Sequence, residues 1–192
     1  MLKKLLITAV VCVSVAQTAF AKTEVYTFDP MHTAVTWSAS HFGFSNPSGK
    51  FTDVTGELKI DEHNPKNSKV HAIISIKSLA TGLLAFDEHL RSKDFFNAEK
   101  HPIAEFKSSK VEVMPDGKAA KVHGKLTILG VTKPVVLDVK FNKSGVNPYF
   151  KKDVMGFSAD AIVKRSEYGM KMGIPDIADE IPVHIEAELF KK

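Results

Sequence analysis

The sequence predicts an all-β fold: one domain of eight antiparallel strands, closed into an extended barrel, with a short helical loop at about residues 86–97. Three observations carry this. Eight segments alternate apolar and polar residues with a period of two, the pattern of strands with one buried face. Clusters of Asn, Pro, Gly and Ser separate most of them, which suits hairpins between chain neighbours. The composition is globular, at 44% hydrophobic and 25% charged over 192 residues, which excludes disorder, collagen and low complexity.

The chain opens on an address. Lys3 and Lys4 precede an apolar run over residues 5–16, and Ala19-Phe20-Ala21 places small residues where a signal peptidase reads. Cleavage is expected between Ala21 and Lys22, leaving a domain over residues 22–192. A lipid-modified Cys12 is the weaker reading, because Val11 stands where a small residue is needed. Losing Lys3 and Lys4 lowers the net charge from +4 to +2, and no basic block rises above a pair, so nucleic acid is not an expected partner. Cys12 leaves with the signal, so the exported domain holds together without disulfides. No later segment reaches the 18 or so apolar residues of a membrane helix.

The strands follow in order. Val35, Trp37 and Ala39 alternate with Thr36, Ser38 and Ser40. Next come Val54, Leu58 and Ile60, then Val70, Ala72, Ile74 and Ile76. Residues 103–114 change parity, with Ala104 and Phe106 apolar first and Val111 and Val113 after. A β-bulge near Ser108-Ser109 reconciles the two halves. Four more segments, over residues 120–128, 135–141, 157–163 and 181–189, complete the set. Eight such strands close as a barrel or as a two-sheet sandwich. Their length and sequential hairpins favour the barrel, whose interior holds one small ligand or fills with side chains.

Familiar catalytic spacings are missing: there is no GxSxG, HExxH, GxxxxGK[ST] or GxGxxG. The eight His residues form no pair at metal-ligand spacing on one strand or helix, so no metal site is expected. The 13 Phe residues are more informative. Phe86, Phe95 and Phe96 fall in the one long loop, where they either plug a barrel end or wall an apolar tunnel; such a wall suits a lipid tail. Asp94 fits an N-cap for the turn holding Phe95-Phe96, or an acid/base group at the mouth. The loop over residues 164–173 mixes Arg165 and Lys171 with Met170 and Met172, as a solvated loop or an anion-binding rim does.

These residues also carry a resemblance. Asp29-Pro30-Met31-His32 followed by Thr33 and Val35 resembles the first-strand Asp-x-x-His-Ser element of the YceI family, with Thr33 in place of Ser. His41-Phe42-Gly43, then Gly49-Lys50-Phe51 and Gly56, are similar to its next hairpin. The most specific stretch is His89-Leu90-Arg91-Ser92-Lys93-Asp94-Phe95-Phe96, then His101-Pro102 and Phe106-Lys107-Ser108. Residues 124–135 and Arg165-Ser166-Glu167-Tyr168-Gly169-Met170 complete the match over the exported chain. The resemblance implies a lipocalin-like barrel with an apolar tunnel, export to the periplasm, and a long polyisoprenoid or prenyl quinone as ligand in place of a cofactor.

The expected function is therefore a periplasmic carrier of an isoprenoid-type amphiphile, without catalysis. Trp37, Phe42, Phe51, Phe86, Leu90, Phe95, Phe96, Phe106 and Phe157 are the expected tunnel wall. His41, Asp94, Arg165 and Lys171 are the expected headgroup contacts. Transient membrane contact and a homodimer are the further partner expectations. Two alternatives stand beside it: a lipid-modifying enzyme using His41 with Asp94, and a stress-response interaction protein whose barrel is filled. Strands of ten to twelve residues rise roughly 35 Å, or about 27 Å along a tilted barrel axis. An octaprenyl chain is longer, so it folds back or protrudes.

Overall fold

The computed structural model describes residues 23–192. The expected export segment, with its expected cleavage between Ala21 and Lys22, lies outside the described residues. In chain order the strands are β1 (Thr23–Phe28), β2 (Ala34–Ser38), β3 (Ser48–Phe51), β4 (Val54–Asp61), β5 (Lys69–Ser75) and β6 (Leu79–Ala80). Helix α1 (Leu84–Arg91) follows, then β7 (Ile103–Val113), β8 (Ala119–Ile128), β9 (Val131–Val146), β10 (Asp153–Lys164) and β11 (Glu180–Lys191).

The eleven strands make eight staves, because three staves are broken. β1 and β2 both pair with β11, through Phe28↔Leu189 and Ala34↔Glu186. On the next stave β4 pairs with β1 while β3 pairs with β2. On the third, β5 pairs with β4 and β6 with β3. β1 lies between β4 and β11, which closes the sheet into a barrel and removes the sandwich alternative. Every pairing is antiparallel, in the sequential order hairpins impose.

Each break has a polar fastening. Between β1 and β2, the buried Asp29 accepts the Met31 backbone N–H on Oδ1 at 2.9 Å and meets His32 Nδ1 on Oδ2 at 2.6 Å. The Asp29 N–H and the Thr33 hydroxyl both donate to the Glu188 carbonyl. The Asp-x-x-His-Thr motif is thus the latch that ties the kinked stave to β11. At the second break the Ser75 N–H donates to the Asp53 carbonyl, and the Thr52 N–H to Ser78 Oγ.

The parity change in β7 is the expected bulge: Ser108 pairs with Gly124 and Lys110 with His123, leaving Ser109 over. Strands β1, β3 and β6 and the extent of the helix differ from the sequence-based expectation. β1 was hidden because Val25 and Tyr26 are adjacent apolar residues that obscure the alternation. The helix covers residues 84–91 only, and Phe95-Phe96 sit in a following turn. Ser92, not Asp94, opens that turn: its carbonyl accepts the N–H groups of Phe95 and Asn97. Asp94 is exposed.

Packing is uneven along the barrel. A core of Phe51, Val54, Ile74, Ile76, Leu79, Leu90, Phe95, Ala98, Ala104 and Met170 fills the α1 end. A smaller cluster of Tyr26, Met155, Ala187 and Leu189 supports the wall below. Outward positions carry charge, among them Lys121, Asp138, Asp160, His184 and Glu186. An apolar interior under a charged exterior is the inverse of a membrane-spanning barrel. Among the described residues, no helix is long and apolar enough to cross a membrane.

Candidate functional site

A cavity of about 690 Å³ runs inside the barrel. Inward positions on all eight staves line it, so its surface is set by the period-two pattern. The parity switch in β7 matters here: Ala104 and Phe106 before the bulge and Val111 and Val113 after it all face the cavity. Without the extra residue, one pair would point to solvent.

Glycines make room for two of the aromatic wall groups. A Cβ at Gly124 would fall 2.4 Å from the Phe106 ring, and one at Gly49 would fall 2.6 Å from the Trp37 indole. Each ring therefore packs directly over the glycine of the neighbouring strand.

At the α1 end the loop aromatics pack against the barrel wall. Phe51 and Phe96 meet edge to face at 5.4 Å between centroids, and His89 meets Phe95 at 5.0 Å. The opposite end is rimmed by exposed or polar residues, including Glu62, Ser68, Lys69, Lys118 and Ser144. Core packing is thus concentrated at the α1 end, where His41 and His89 also reach the lining, while exposed residues dominate the opposite rim.

Of the residues expected in the tunnel wall, Trp37, Phe51, Phe86, Leu90, Phe95, Phe96, Phe106 and Phe157 line the cavity. Phe42 does not. It sits in a tight turn at φ 52°, half-exposed against the His41 ring. The reason is local: the 41–45 turn, closed by the Phe44 N–H donating to the His41 carbonyl, directs Phe42 outward.

The expected headgroup residues are not brought together. His41 lines the cavity at its rim, while Asp94 and Lys171 are exposed and outside the lining. The pair His41 with Asp94, which the enzyme alternative needs, is not assembled at the cavity.

Arg165 lines the cavity but is 5% exposed, and its fork is engaged elsewhere. Nε donates to the Ala178 carbonyl at 2.7 Å. Nη1 donates to the carbonyls of Met170 and Met172 at 3.0 and 2.9 Å, and Nη2 to that of Ile177 at 2.9 Å. It is a strap that gathers the loop between β10 and β11. Burial lowers its pKa and raises that of the neighbouring Tyr168. The guanidinium nonetheless stays charged at neutral pH. Nothing in the sequence signalled this role, because the four carbonyls belong to backbone brought close only by the loop.

Outside the cavity, Asp29, His32 and Glu188 offer three ligand atoms within 4.8 Å. Asp29 and His32 already satisfy one another, and this hydrogen bond raises the His32 pKa. The cluster is accounted for by the latch.

Residues 26–189 match the YceI-like domain family. A UPF0312 protein of Pectobacterium carotovorum is 34% identical over 190 residues, covering 98% of this chain and 97% of that one. The chain belongs to the YceI family. Protein YceI of Escherichia coli O157:H7 is 36% identical over 157 residues, 82% of this chain and 81% of that one. Solved structures of the family share the architecture. Campylobacter jejuni YceI aligns with a TM-score of 0.69 at 31% identity over 78% of this chain and 87% of that one. BcnA of Burkholderia cenocepacia aligns at 0.74 and 22% identity, over 84% and 98%. A polyisoprenoid-binding domain from Saccharophagus degradans aligns at 0.65 and 15% identity, over 87% and 98%, a likeness of fold.

Proposed function

We propose that this YceI-family protein is a periplasmic carrier of a long-chain isoprenoid or similar amphiphile, held in the barrel without chemical change. The observation that supports it most is the cavity: about 690 Å³, lined mainly by apolar side chains from all eight staves, with aromatics packed at the α1 end. At roughly 30 Å³ per water-sized unit, it takes on the order of twenty carbon-sized groups. Each buried CH₂ contributes about 0.8 kcal/mol, so a tail engages strongly even after the cost of ordering it. The Saccharophagus degradans neighbour is a polyisoprenoid-binding domain, in agreement with this reading. A barrel filled by its own side chains is not what the interior contains.

Native mass spectrometry of the protein purified from its own host tests the proposal. The expected spectrum shows an added mass that extracts into organic solvent as an isoprenoid-type lipid. Repeated spectra of bare polypeptide, with no uptake of a prenyl quinone offered in detergent, refute it. Conversion of the bound lipid on the protein would favour an enzyme instead.

A further inference from the structure

A carrier needs a way to meet its lipid, and one end of the barrel is built differently from the other. β8 and β9 pair from Ile128↔Val131 to Ala119↔Lys140, and the last contact is the Phe141 N–H on the Lys118 carbonyl. β9 continues past that point: residues 142–146 pair with β10 alone, to Asp153↔Val146. The hairpin therefore stands beyond the β8 edge by roughly 15 Å. Ser144, on its inner side, and Lys118, at its foot, belong to the rim of the cavity opposite α1.

The tip of this hairpin is apolar and basic. Tyr149 is 88% exposed, Val146 63% and Phe150 57%. Between Val139 and Lys152 the chain carries Lys140, Lys143, Lys151 and Lys152 and no acid. Among the described residues, Lys143, Lys151 and Lys152 make no ion pair; Asp153, at the base, lies 3.9 Å from Lys191. The tip is held in shape. Asn147 Oδ1 accepts the N–H groups of Tyr149 and Phe150 at 2.9 and 3.0 Å, and Phe150 rests edge-on against Phe190. Rigid aromatics flanked by lysines match the water–lipid boundary of an anionic bilayer, where amphipathic rings and cations both gain.

The opposite end also exposes apolar side chains, among them Phe44, Leu83 and Leu84. Its loops and helix, however, interleave Asp87, Glu88, Asp94, Glu99, Glu167, Asp176 and Asp179 with Lys77, Arg91, Lys93, Lys100 and Lys171, so no run of cations free of acids forms there. An anionic surface favours the hairpin end.

We propose that the β9–β10 hairpin tip, through Tyr149, Phe150, Lys143, Lys151 and Lys152, docks the barrel on an anionic bilayer surface with the adjoining rim facing the lipid. This rests on the carrier reading and adds the surface through which loading proceeds.

The test is co-sedimentation of the exported chain with vesicles of phosphatidylglycerol and phosphatidylethanolamine, set against phosphatidylcholine alone. Binding is expected to the first and not the second, and to fall with added salt. A lysine near such a surface is worth about fivefold, so K143E/K151E/K152E should weaken binding by roughly a hundredfold or more. Y149S/F150S should weaken it at least about tenfold. These positions are exposed, and melting curves like the wild type's establish that both variants fold. The docking is overturned if the wild type ignores the anionic vesicles, or if both variants bind within about twofold of it. It is equally overturned if F42S/F44S at the far end abolishes binding, or if the tip variants only break a dimer of the protein. Uptake of a prenyl quinone from detergent, measured on the same samples, separates the two ideas. Uptake with no vesicle binding removes the docking alone, and no uptake removes the carrier reading as well.

Discussion

Arg165 discriminates between a headgroup ligand and a structural strap, and Arg165→Met separates the two. Methionine fills similar length but donates nothing. Four carbonyls, those of Met170, Met172, Ile177 and Ala178, lose their partner together. Only the Met170 bond is fully buried; the other three acceptors have partial access to water. At about 1 kcal/mol each net, with water offsetting part of the loss at the half-buried groups, the cost is about 2–4 kcal/mol. For a domain of this size that lowers Tm by roughly 5–15 °C. Lysine is no substitute, because one ammonium cannot span carbonyls the planar fork reaches from two sides. Thermal unfolding gives the magnitude, and hydrogen exchange over residues 165–179 locates it. The strap is refuted if Arg165→Met melts within about 2 °C of wild type and exchange in the loop is unchanged, above all if lipid uptake is then lost.

Further expectations follow from the bore and the carboxylates. Ala159→Phe, placed on the cavity wall where Ala159 is buried, should keep or raise Tm while cutting prenyl-quinone uptake sharply, since a ring there occupies ligand space; undiminished uptake would show that the lipid lies elsewhere. Gly124→Val should destabilise by about 1–3 kcal/mol through overpacking, because its Cβ would meet the Phe106 ring at 2.4 Å and the Lys107 carbonyl at 2.7 Å, the latter being backbone; unchanged denaturant midpoints would contradict the close approach. The Asp61 carboxyl is held below its ordinary 3.8 first by the Asn67 side-chain amide and then by the Asn64 N–H. Its stabilisation is therefore present above the unfolded value and lost as pH falls through the folded one, so the wild type should lose stability below about pH 5 more steeply than Asp61→Asn; parallel acid titrations would refute this.

Much of the barrel was legible in the chain because burial of one face imposes a period of two. The runs Val135-Leu137-Val139-Phe141 and Val183-Ile185-Ala187-Leu189 encode both their strands and the inner wall. The β7 bulge was legible for the same reason, as a break in parity. The cavity-facing Phe86, Phe95 and Phe96 stood out because aromatics in a loop need something to pack on. Phe42 misled for the same reason: the side on which a turn presents its ring depends on φ, which residue type does not announce at a non-glycine position.

By itself the sequence determined the class of the fold, the inward face of every long strand and the family to which the chain belongs, all consequences of local pattern. Tertiary structure decided the rest. It joined short strands into broken staves, because the Asp29 latch bridges residues 155 or more positions apart. It left the interior hollow, because volume depends on how eight staves close, and it set the Trp37 and Phe106 rings against glycines of neighbouring strands. It gave Arg165 four backbone carbonyl partners, because those carbonyls meet only when the loop folds.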